Sequence, residues 1–377
     1  MKVLINTAHQ RFGGAVQVAS SFIHECRKFT GFSYEVWLGP GVGKTVRKED
    51  FPEHFVFRNF DFGSVNFKAI RNIQRTLSKA EREAKPDIII STSGPTYFHS
   101  MAPQIIGFNL PLYLYPESPY LKELSFITKL KVALKKKAHY YFFKRDASAF
   151  VVQTEDVNTR VRRFLNTDRV HTVSNTYNHY FDLQTRFPDR LGPRKSHELR
   201  LLTLSSYYPH KNLELIPQIA DQLKKKGIDT IRFVLTLPES RFKYHIGKHP
   251  FIVNTGPVSP EECPALYNEC DMMFLPTLAE CFSASYPEAM KMAKPIITTN
   301  LGFARSICGD AAVYFEPKNP ESAFRAVLEL SRNTTLQNQL IMAGKKQLKK
   351  FDNAEERAEK YLKLCEKLSG LKRGEYV

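Results

Sequence analysis

Several features that define other protein classes are missing from this sequence of 377 residues. No apolar run reaches the roughly 18 residues of a membrane-spanning helix, so we expect a soluble or peripheral protein. The cysteines form no Cys-x-x-Cys pair and no recurring spacing, which argues against a disulfide framework and a zinc site. They stand at Cys26, Cys263, Cys270, Cys281, Cys308 and Cys365. No Gly-x-Gly-x-x-Gly follows the first predicted strand, which counts against a nicotinamide dehydrogenase.

The amino terminus lacks the long apolar region and the small-residue cleavage site of a secretory signal. Residues 1–6, with the sequence MKVLIN, instead favour a short buried strand. We therefore expect a cytoplasmic protein. Peripheral attachment to the inner face of the cell membrane is the alternative location to test.

Acidic residues are also in deficit. The chain has 38 Asp and Glu against 55 Lys and Arg, a formal charge of +17, and such an excess suggests an anionic partner. The partner could be nucleic acid, a phosphorylated substrate or an acidic membrane surface. No RNA-binding or helix-turn-helix signature accompanies the charge, so we do not expect nucleic acid.

Short β-branched or aliphatic runs alternate with longer segments of helical period, which is typical of parallel sheets with crossover helices. The first half predicts strands at 2–7, 33–38, 87–91, 111–115, 149–152 and 170–174, and helices at 14–29, 66–84, 120–142 and 155–165. The second half predicts strands at 199–205, 231–237, 251–254, 272–275, 295–299 and 312–315, and helices at 212–226, 260–269, 286–293 and 319–350.

Two doubly wound Rossmann-like domains in tandem follow from this alternation. A polar stretch that contains Pro188, Gly192 and Pro193 predicts the linker between them. The predicted boundaries are a first domain over 1–185, a linker over 186–198, a second domain over 199–350 and a C-terminal helix over 351–377, which we expect to cross back to the first domain. Because open parallel sheets bind ligands outside the carboxyl ends of their strands, we expect the site in a cleft between the domains.

The segment from Pro276 to Met290, between a predicted strand and a predicted helix, is the sharpest candidate site. It holds Glu280 in a loop and Glu288 in the first turn of the next helix. Two acceptor-only carboxylates beside free backbone N–H groups suit a ligand with both hydroxyls and phosphate, such as a nucleotide sugar. An equally good explanation of Glu288 is a capping box with Ser285; Glu280 has no such alternative.

The chain from Leu201 to about Pro320 resembles the nucleotide-sugar-binding half of glycosyltransferase family 4, which has the GT-B architecture. The order and spacing of several motifs carry the resemblance. They are Pro209-His210-Lys211-Asn212, Thr255-Gly256-Pro257-Val258-Ser259, Leu275-Pro276, the pair Glu280 and Glu288, Pro295-Ile296-Ile297 and Gly309-Asp310-Ala311-Ala312.

The resemblance implies a role for each matching residue. Lys211 and Glu280 would be the catalytic pair, Lys211 on the donor diphosphate and Glu280 on the donor-sugar hydroxyls. Glu288 would bind the ribose hydroxyls, and backbone amides near Phe282 and Ser283 would approach the transferred sugar. Ser283 departs from the family, which usually has Gly there, so contacts with the pyrophosphate can be redistributed.

The first half matches the family less tightly. Gly13 and Gly14 after the first strand resemble the glycine loop that meets donor phosphate and acceptor, although two glycines are otherwise only a turn. Glu117 stands where many members have an acceptor-side His. It is a candidate for acceptor contact or for the base, and an ordinary loop carboxylate is an equally good explanation.

The segment over 122–145 interleaves seven lysines with aliphatic and aromatic residues. Such a basic amphipathic helix can lie on anionic lipid. The alternative is a solvated charged face above aromatics that point into the core.

The resemblance implies a retaining glycosyltransferase that moves a sugar from a nucleoside-diphosphate sugar to a sugar or lipid-linked acceptor, in cell-surface polysaccharide or lipopolysaccharide biosynthesis. It implies no cofactor and no metal, and the lack of an Asp-x-Asp motif agrees. The alternatives are a nucleotide-sugar epimerase or sugar phosphorylase of the same fold, and a catalytically silent membrane-associated scaffold.

Overall fold

The computed structural model describes residues 1–63, 65–183 and 185–370. Within these ranges the chain forms two compact units. Unit 1 comprises Met1–Leu114, Leu124–Asn175 and the chain from Asp352 onward, and unit 2 comprises Tyr115–Glu123 and Thr176–Phe351.

Each unit is built on one parallel sheet. The strands of unit 1 are β1 (Lys2–Asn6), β2 (Ser33–Leu38), β3 (Phe55–Asn59), β4 (Ile88–Ser91), β5 (Gln104–Gly107), β6 (Ala149–Val152) and β7 (Val170–Thr172). Those of unit 2 are β8 (Leu199–Thr203), β9 (Ile231–Leu235), β10 (Ile252–Asn254), β11 (Met272–Leu275), β12 (Ile296–Thr299) and β13 (Ala312–Phe315). The strand order is β3-β2-β1-β4-β5-β6-β7 in the first sheet and β10-β9-β8-β11-β12-β13 in the second.

Helices connect the strands in the described residues. They are α1 (Gly14–Cys26), α2 (Phe67–Ala84), α3 (Pro111–Leu114), α4 (Pro119–Glu123), α5 (Phe126–Asp146), α6 (Glu155–Leu165), α7 (Leu215–Lys225), α8 (Glu239–His245), α9 (Cys263–Asn268), α10 (Ser285–Lys291), α11 (Gly302–Cys308), α12 (Pro320–Arg332), α13 (Thr334–Leu348) and α14 (Ala354–Ser369). Polar residues begin several of them: Asn66, Thr154 and Asn353 each accept a backbone N–H of the following first turn.

The central strands are continuous apolar runs because helices cover both faces of a parallel sheet. Val3, Leu4 and Ile5 of β1 are fully buried, as are Ile88, Ile89 and Ile90 of the neighbouring β4. In each sheet the order of the strands reverses next to the first strand: between β1 and β4 in unit 1, and between β8 and β11 in unit 2. Such a switch point leaves a crevice at the carboxyl ends of the two strands.

The two doubly wound sheets agree with the predicted fold class, but several elements differ from the prediction. The predicted strand over 111–115 is the helical turn α3, because Pro111 fixes a helical φ at its first position. The prediction missed the strands β3 and β5 and the short helices α8 and α11. The single helix predicted over 319–350 is two helices, because the Asn333 side chain accepts the backbone N–H of Leu336 and begins α13.

The contacts divide the chain differently from the predicted boundaries. Unit 2 begins at Thr176 rather than after a linker over 186–198, and it includes Tyr115–Glu123 from within the predicted first domain. The helix α14 packs in the core of unit 1 through Ala358, Tyr361 and Leu362, as predicted for a C-terminal helix that crosses back. Residues 371–377 of the predicted C-terminal segment lie outside the described residues.

Across the described part of the chain, none of the helices combines the length and the apolar character that crossing a bilayer requires.

Candidate functional site

The switch point of unit 2 brings two of the predicted site residues together. Lys211 lies in the loop that follows β8, and Glu280 lies in the loop that follows β11, the neighbouring strand. Because both strands end at the same edge of a parallel sheet, their loops share one crevice.

The loop after β8 holds Lys211 in a short 3-10 turn, Pro209–Lys211. Asn212 ends this turn in the left-handed conformation, with φ 53°, and the helix α7 begins only at Leu215. The predicted helix start at 212 is therefore wrong, since α7 begins three residues later. The turn is fixed to the loop after β11, because the backbone N–H of Leu278 donates to the carbonyl of His210 over 2.7 Å.

This docking places the Lys211 ammonium against the Glu280 carboxylate. The Lys211 Nζ donates to Glu280 Oε1, and both side chains are largely buried. The buried Thr277 hydroxyl donates to the same oxygen over 3.0 Å. A carboxylate held by a cation and a hydroxyl has a fixed orientation, so the pair presents a cation and a hydrogen-bond acceptor at defined positions.

Aromatic rings surround the pair. His210 stacks on Tyr208 with 5.6 Å between ring centroids, and Tyr120 meets His210 edge to face at 6.1 Å. Burial lowers the pKa of His210. Burial also raises the pKa of Tyr208, and the Glu280 charge adds to that rise. His210 is therefore a neutral ring at neutral pH, and the ammonium of Lys211 is the local positive charge.

Glu288 lies in the first turn of α10, but not as a cap. The N-cap of α10 is Ala284, which makes no side-chain cap. Ser285 Oγ donates instead to the Leu204 carbonyl, and Glu288 Oε2 accepts the Tyr267 hydroxyl over 3.4 Å. The capping-box explanation of Glu288 is therefore wrong.

The Glu288 carboxyl group changes its protonation near neutral pH. Burial raises its pKa to about 7, although the hydrogen bond from Tyr267 acts in the opposite direction. Among the described residues its one side-chain hydrogen-bond partner is the neutral Tyr267 hydroxyl, and the ionised carboxylate is a strong acceptor for a ligand hydroxyl.

Phe282 and Ser283 lie in the loop between Glu280 and α10. Ser283 is buried and its carbonyl accepts the backbone N–H of Tyr286 over 3.2 Å. The ring of Phe282 packs edge to face on Phe351, with 5.8 Å between centroids. Both residues thus have a fixed place beside the pair of Lys211 and Glu280.

Glu117 lies on the same unit as Glu280, which the sequence did not predict. It is exposed in the segment Tyr115–Glu123, which contacts the loop after β11. The buried Ser118 Oγ donates to the Leu278 carbonyl over 2.8 Å. Glu123 also forms an ion pair with Lys318.

The glycine loop belongs to unit 1. Gly13 is the N-cap of α1 with φ 82°, a conformation that favours glycine. A Cβ on Gly14 would meet no atom within 4 Å, so that position does not require glycine. Upstream in the same loop, burial lowers the pKa of His9 to about 4. The structure thus places Lys211, Glu280, Phe282, Ser283, Glu288 and Glu117 in unit 2, and Gly13 and Gly14 in unit 1.

The sequence did not single out the residues that support these side chains. Thr277 and Tyr267 are buried partners of Glu280 and Glu288, and Ser118 anchors a segment from a distant part of the chain. Thr277 could have been found, because a polar residue two positions after the buried strand β11 needs a hydrogen-bond partner. Ser118 gave no signal, since its partner is 160 positions away.

The described residues contain no group of three or more His, Cys, Asp or Glu that is arranged to hold a metal ion.

Residues 190–347 match the family model for glycosyl transferases group 1. No curated protein sequence matches the chain. Among solved structures, a glycosyltransferase from Rickettsia africae ESF-5 is similar over 98% of this chain and 99% of its own, with TM-score 0.72 and 16% identity. Anabaena Alr3699/HepE in complex with UDP-glucose (TM-score 0.71) and WaaG, a glycosyltransferase involved in lipopolysaccharide biosynthesis (TM-score 0.70), are each 13% identical over 98% of this chain and 100% of theirs. These likenesses establish the GT-B fold.

Proposed function

We propose that this protein is a retaining glycosyltransferase that requires no metal ion. It transfers a sugar from a nucleoside-diphosphate sugar to a sugar or lipid-linked acceptor, in the assembly of a cell-surface polysaccharide or lipopolysaccharide. The observation that carries the proposal is the paired Lys211 and Glu280 at the switch point of unit 2. The family match over 190–347 covers both residues and Glu288.

Each part of a nucleotide sugar has a partner of suitable chemistry in this proposal. The Lys211 ammonium binds the diphosphate, and Glu280 accepts hydrogen bonds from hydroxyls of the transferred sugar. Glu288, with one neutral partner, accepts from the ribose hydroxyls. The complex of Alr3699/HepE, a protein of the same fold, with UDP-glucose supports a nucleotide sugar as the ligand.

The proposed chemistry depends on positioning and on charge. The acceptor oxygen bonds to the anomeric carbon as the bond from that carbon to the diphosphate oxygen breaks, and the new bond forms on the same face. The proton of the acceptor hydroxyl passes to the departing diphosphate oxygen. Negative charge develops on the departing diphosphate, where Lys211 stabilises it in a largely water-excluded place. No protein nucleophile takes part. Retention and independence of metal rest on the family resemblance.

A nucleotide screen tests the donor half of the proposal. The purified protein is heated with UDP, GDP, ADP, dTDP or CMP, with magnesium or with EDTA, and its unfolding temperature is measured. We expect one diphosphate to raise that temperature equally well with EDTA. If no nucleotide stabilises a folded protein, or if stabilisation requires magnesium, the proposed donor site is wrong.

Product analysis then separates transfer from related reactions. The stabilising nucleotide sugar is incubated with the protein and candidate acceptors, and the anomeric configuration of the product is read by NMR. Transfer gives a glycosylated acceptor with the configuration of the donor. Conversion of the donor without acceptor would indicate an epimerase, and dependence on inorganic phosphate would indicate a phosphorylase.

A further inference from the structure

His210 is a half-buried histidine whose ring has no part in the proposed chemistry. It lies in the 3-10 turn Pro209–Lys211, one position before Lys211. The backbone N–H of Leu278 donates to the His210 carbonyl over 2.7 Å and joins this turn to the loop after β11. The backbone of His210 is therefore held next to the pair of Lys211 and Glu280.

Two tyrosine rings restrict the imidazole. Tyr208 stacks on it with 5.6 Å between centroids and 20° between the ring planes, and Tyr120 meets it edge to face at 6.1 Å. Tyr120 belongs to the segment Tyr115–Glu123, which is part of unit 2. The hydrogen bond from Ser118 to the Leu278 carbonyl holds that segment in place. All three rings thus lie in one unit, and the imidazole has little freedom to turn.

The ring nitrogens of His210 take part in none of the hydrogen bonds between described residues. The buried His139 of unit 1 differs in this respect. Its Nε2 lies 2.9 Å from the Tyr97 hydroxyl, and its Nδ1 lies 3.2 Å from the Tyr113 hydroxyl. A neutral imidazole carries one N–H donor and one acceptor nitrogen, and such groups are normally paired when a protein buries them. His210 thus keeps both hydrogen-bonding atoms for a ligand.

The charge state of the imidazole narrows the kind of ligand. Burial lowers the pKa of His210; to a smaller extent the Glu280 carboxylate raises it and the Lys211 ammonium lowers it. The ring therefore lies within electrostatic reach of both members of the pair, and it is uncharged at neutral pH. An uncharged donor and acceptor between aromatic rings suits a hydroxyl of a sugar, whereas a phosphate is bound best by a cation.

We propose that His210 determines sugar specificity at the donor site: its imidazole forms a hydrogen bond with a hydroxyl of the transferred sugar, and the rings of Tyr120 and Tyr208 hold it in place for that contact. The inference rests on the proposed function and adds a sugar contact beside Glu280. Position selects the transferred sugar, because Lys211, the residue proposed to bind the diphosphate, directly follows His210. A sugar without that hydroxyl is then a poorer donor.

Calorimetry on the full chain separates the sugar contact from the diphosphate contact. His210→Phe keeps a ring between Tyr120 and Tyr208 and removes the ring nitrogens. The probes are the diphosphate that the nucleotide screen selects and its glucose, galactose and N-acetylglucosamine derivatives. We expect the variant to bind the diphosphate as the parent does, and to bind the preferred sugar derivative roughly tenfold more weakly.

The same titrations distinguish the failure of this inference from the failure of the proposed function. If the parent binds none of the nucleotide sugars, the proposed function is wrong and the inference falls with it. If the parent binds one of them and His210→Phe binds it equally well, the inference alone is wrong.

His245→Phe is the matched control. His245 also stacks on a tyrosine of the loop after β8, Tyr207, with 3.6 Å between centroids. We expect this variant to bind every probe as the parent does. Equal losses in the two variants would mean that a disturbed loop, and not a lost hydroxyl contact, weakens the binding.

Derivatives of the preferred donor that each lack one sugar hydroxyl identify the contact. At least one of them should bind the parent roughly tenfold more weakly than the complete donor does, while His210→Phe should bind that derivative and the complete donor alike. If every derivative loses as much affinity in the variant as in the parent, His210 contacts none of these hydroxyls. A raised KM for the acceptor with unchanged donor binding would refute the assignment to the transferred sugar.

Two variants of Tyr120 test the support of the imidazole. Tyr120→Leu removes the ring and should weaken binding of the sugar derivative without weakening binding of the diphosphate. Tyr120→Phe keeps the ring and should bind both as the parent does. Parent-like binding of the sugar derivative by Tyr120→Leu would show that Tyr120 does not hold His210 for the contact.

Discussion

Glu288 is the residue in which folding and binding are most clearly opposed. Its side chain is half-buried with the Tyr267 hydroxyl as partner, and the pKa of its carboxyl is raised to about 7. The pKa in the folded protein lies above the value of 4.5 for an unperturbed glutamate. Ionisation of Glu288 therefore lowers the stability of the folded protein as pH rises from about 5 through 7. The loss reaches a few kcal/mol above pH 7, at about 1.4 kcal/mol for each pKa unit.

Glu288→Gln removes the ionisation and keeps the shape. We expect the variant to be at least as stable as the parent at pH 8, and its stability advantage to shrink at pH 5. Binding of the stabilising nucleoside diphosphate should weaken by roughly tenfold or more, because an amide accepts ribose hydroxyls less well than a carboxylate. Thermal unfolding at both pH values and calorimetry at pH 8 check this. Lower stability at pH 8 with unchanged binding would assign Glu288 a purely structural role.

The same group predicts the pH dependence of donor binding. Ligand hydroxyls that donate to Glu288 favour its charged form, so binding lowers its pKa. Affinity for the nucleotide sugar should therefore rise by roughly tenfold from pH 6 to pH 8. A nucleotide sugar is used because its diphosphate carries no proton that titrates in this range. Calorimetry gives the profile, and Glu288→Gln should make it flat; an equally steep profile in the variant would place the titrating group elsewhere.

Lys211 is the residue on which the proposed chemistry depends most. Lys211→Ala removes the ammonium that stabilises the departing diphosphate, and we expect turnover to fall by roughly 100-fold or more. Lys211→Arg keeps the charge and the partner Glu280 and should retain more activity. Turnover with saturating donor and acceptor, beside a thermal melt of each variant, is the measurement. Near-normal turnover of a folded Lys211→Ala protein would remove Lys211 from the mechanism.

The short 3-10 turn Pro209–Lys211 is the element that aims Lys211. It ends at Asn212, whose φ of 53° a β-branched residue adopts only with strain. Asn212→Val should cost about 1–3 kcal/mol of stability and move the lysine, while Asn212→Gly keeps the conformation. We expect the Val variant to lose turnover beyond what its melt explains. Equal turnover in both variants, measured well below their melting temperatures, would show that the turn does not aim Lys211.

Strands with continuous aliphatic runs were predictable, and strands without them were not. β1 and β11 were predicted close to their observed bounds, because VLI and MMFL have a composition that suits a strand buried on both faces. β5 was not predicted because its sequence, QIIG, is short. The alternation of Leu and Tyr after Pro111 has the period of a strand, which led to the wrong prediction over 111–115. Helices α2 and α6 were found almost to the residue, because a polar cap precedes a regular apolar period in both.

The residues of the candidate site were predictable from sequence, but the contacts between them were not. Lys211, Glu280 and Glu288 follow strands or begin helices, which places them at a sheet edge from sequence alone. The ion pair of Lys211 with Glu280, by contrast, depends on the bond from Leu278 to His210, which joins loops 68 positions apart. No local pattern encodes the association of Tyr115–Glu123 with unit 2 either, since Ser118 reaches its partner only after the chain has folded.

The helix α14 belongs to unit 1, although it follows the sequence of unit 2 in the chain. Tyr361 meets Phe22 of α1 with 5.1 Å between ring centroids. The buried Arg357 donates to Ser21 Oγ at 2.8 Å and to Asn175 Oδ1 at 2.5 Å. Unit 1 thus lacks part of its core until the last helix has been made.

Removal of residues 352–377 should therefore unfold unit 1. The helix buries Tyr361, Leu362, Leu364 and Leu368. At about 1.5–3 kcal/mol for each large side chain, their burial approaches the roughly 5–15 kcal/mol that stabilises a typical domain. Unit 2 has its own sheet and core, so we expect the truncated chain to keep one cooperative transition that a nucleoside diphosphate still stabilises. Calorimetric unfolding, with a chain that lacks only 371–377 as control, decides it: two intact transitions in the longer truncation would mean that unit 1 folds without α14.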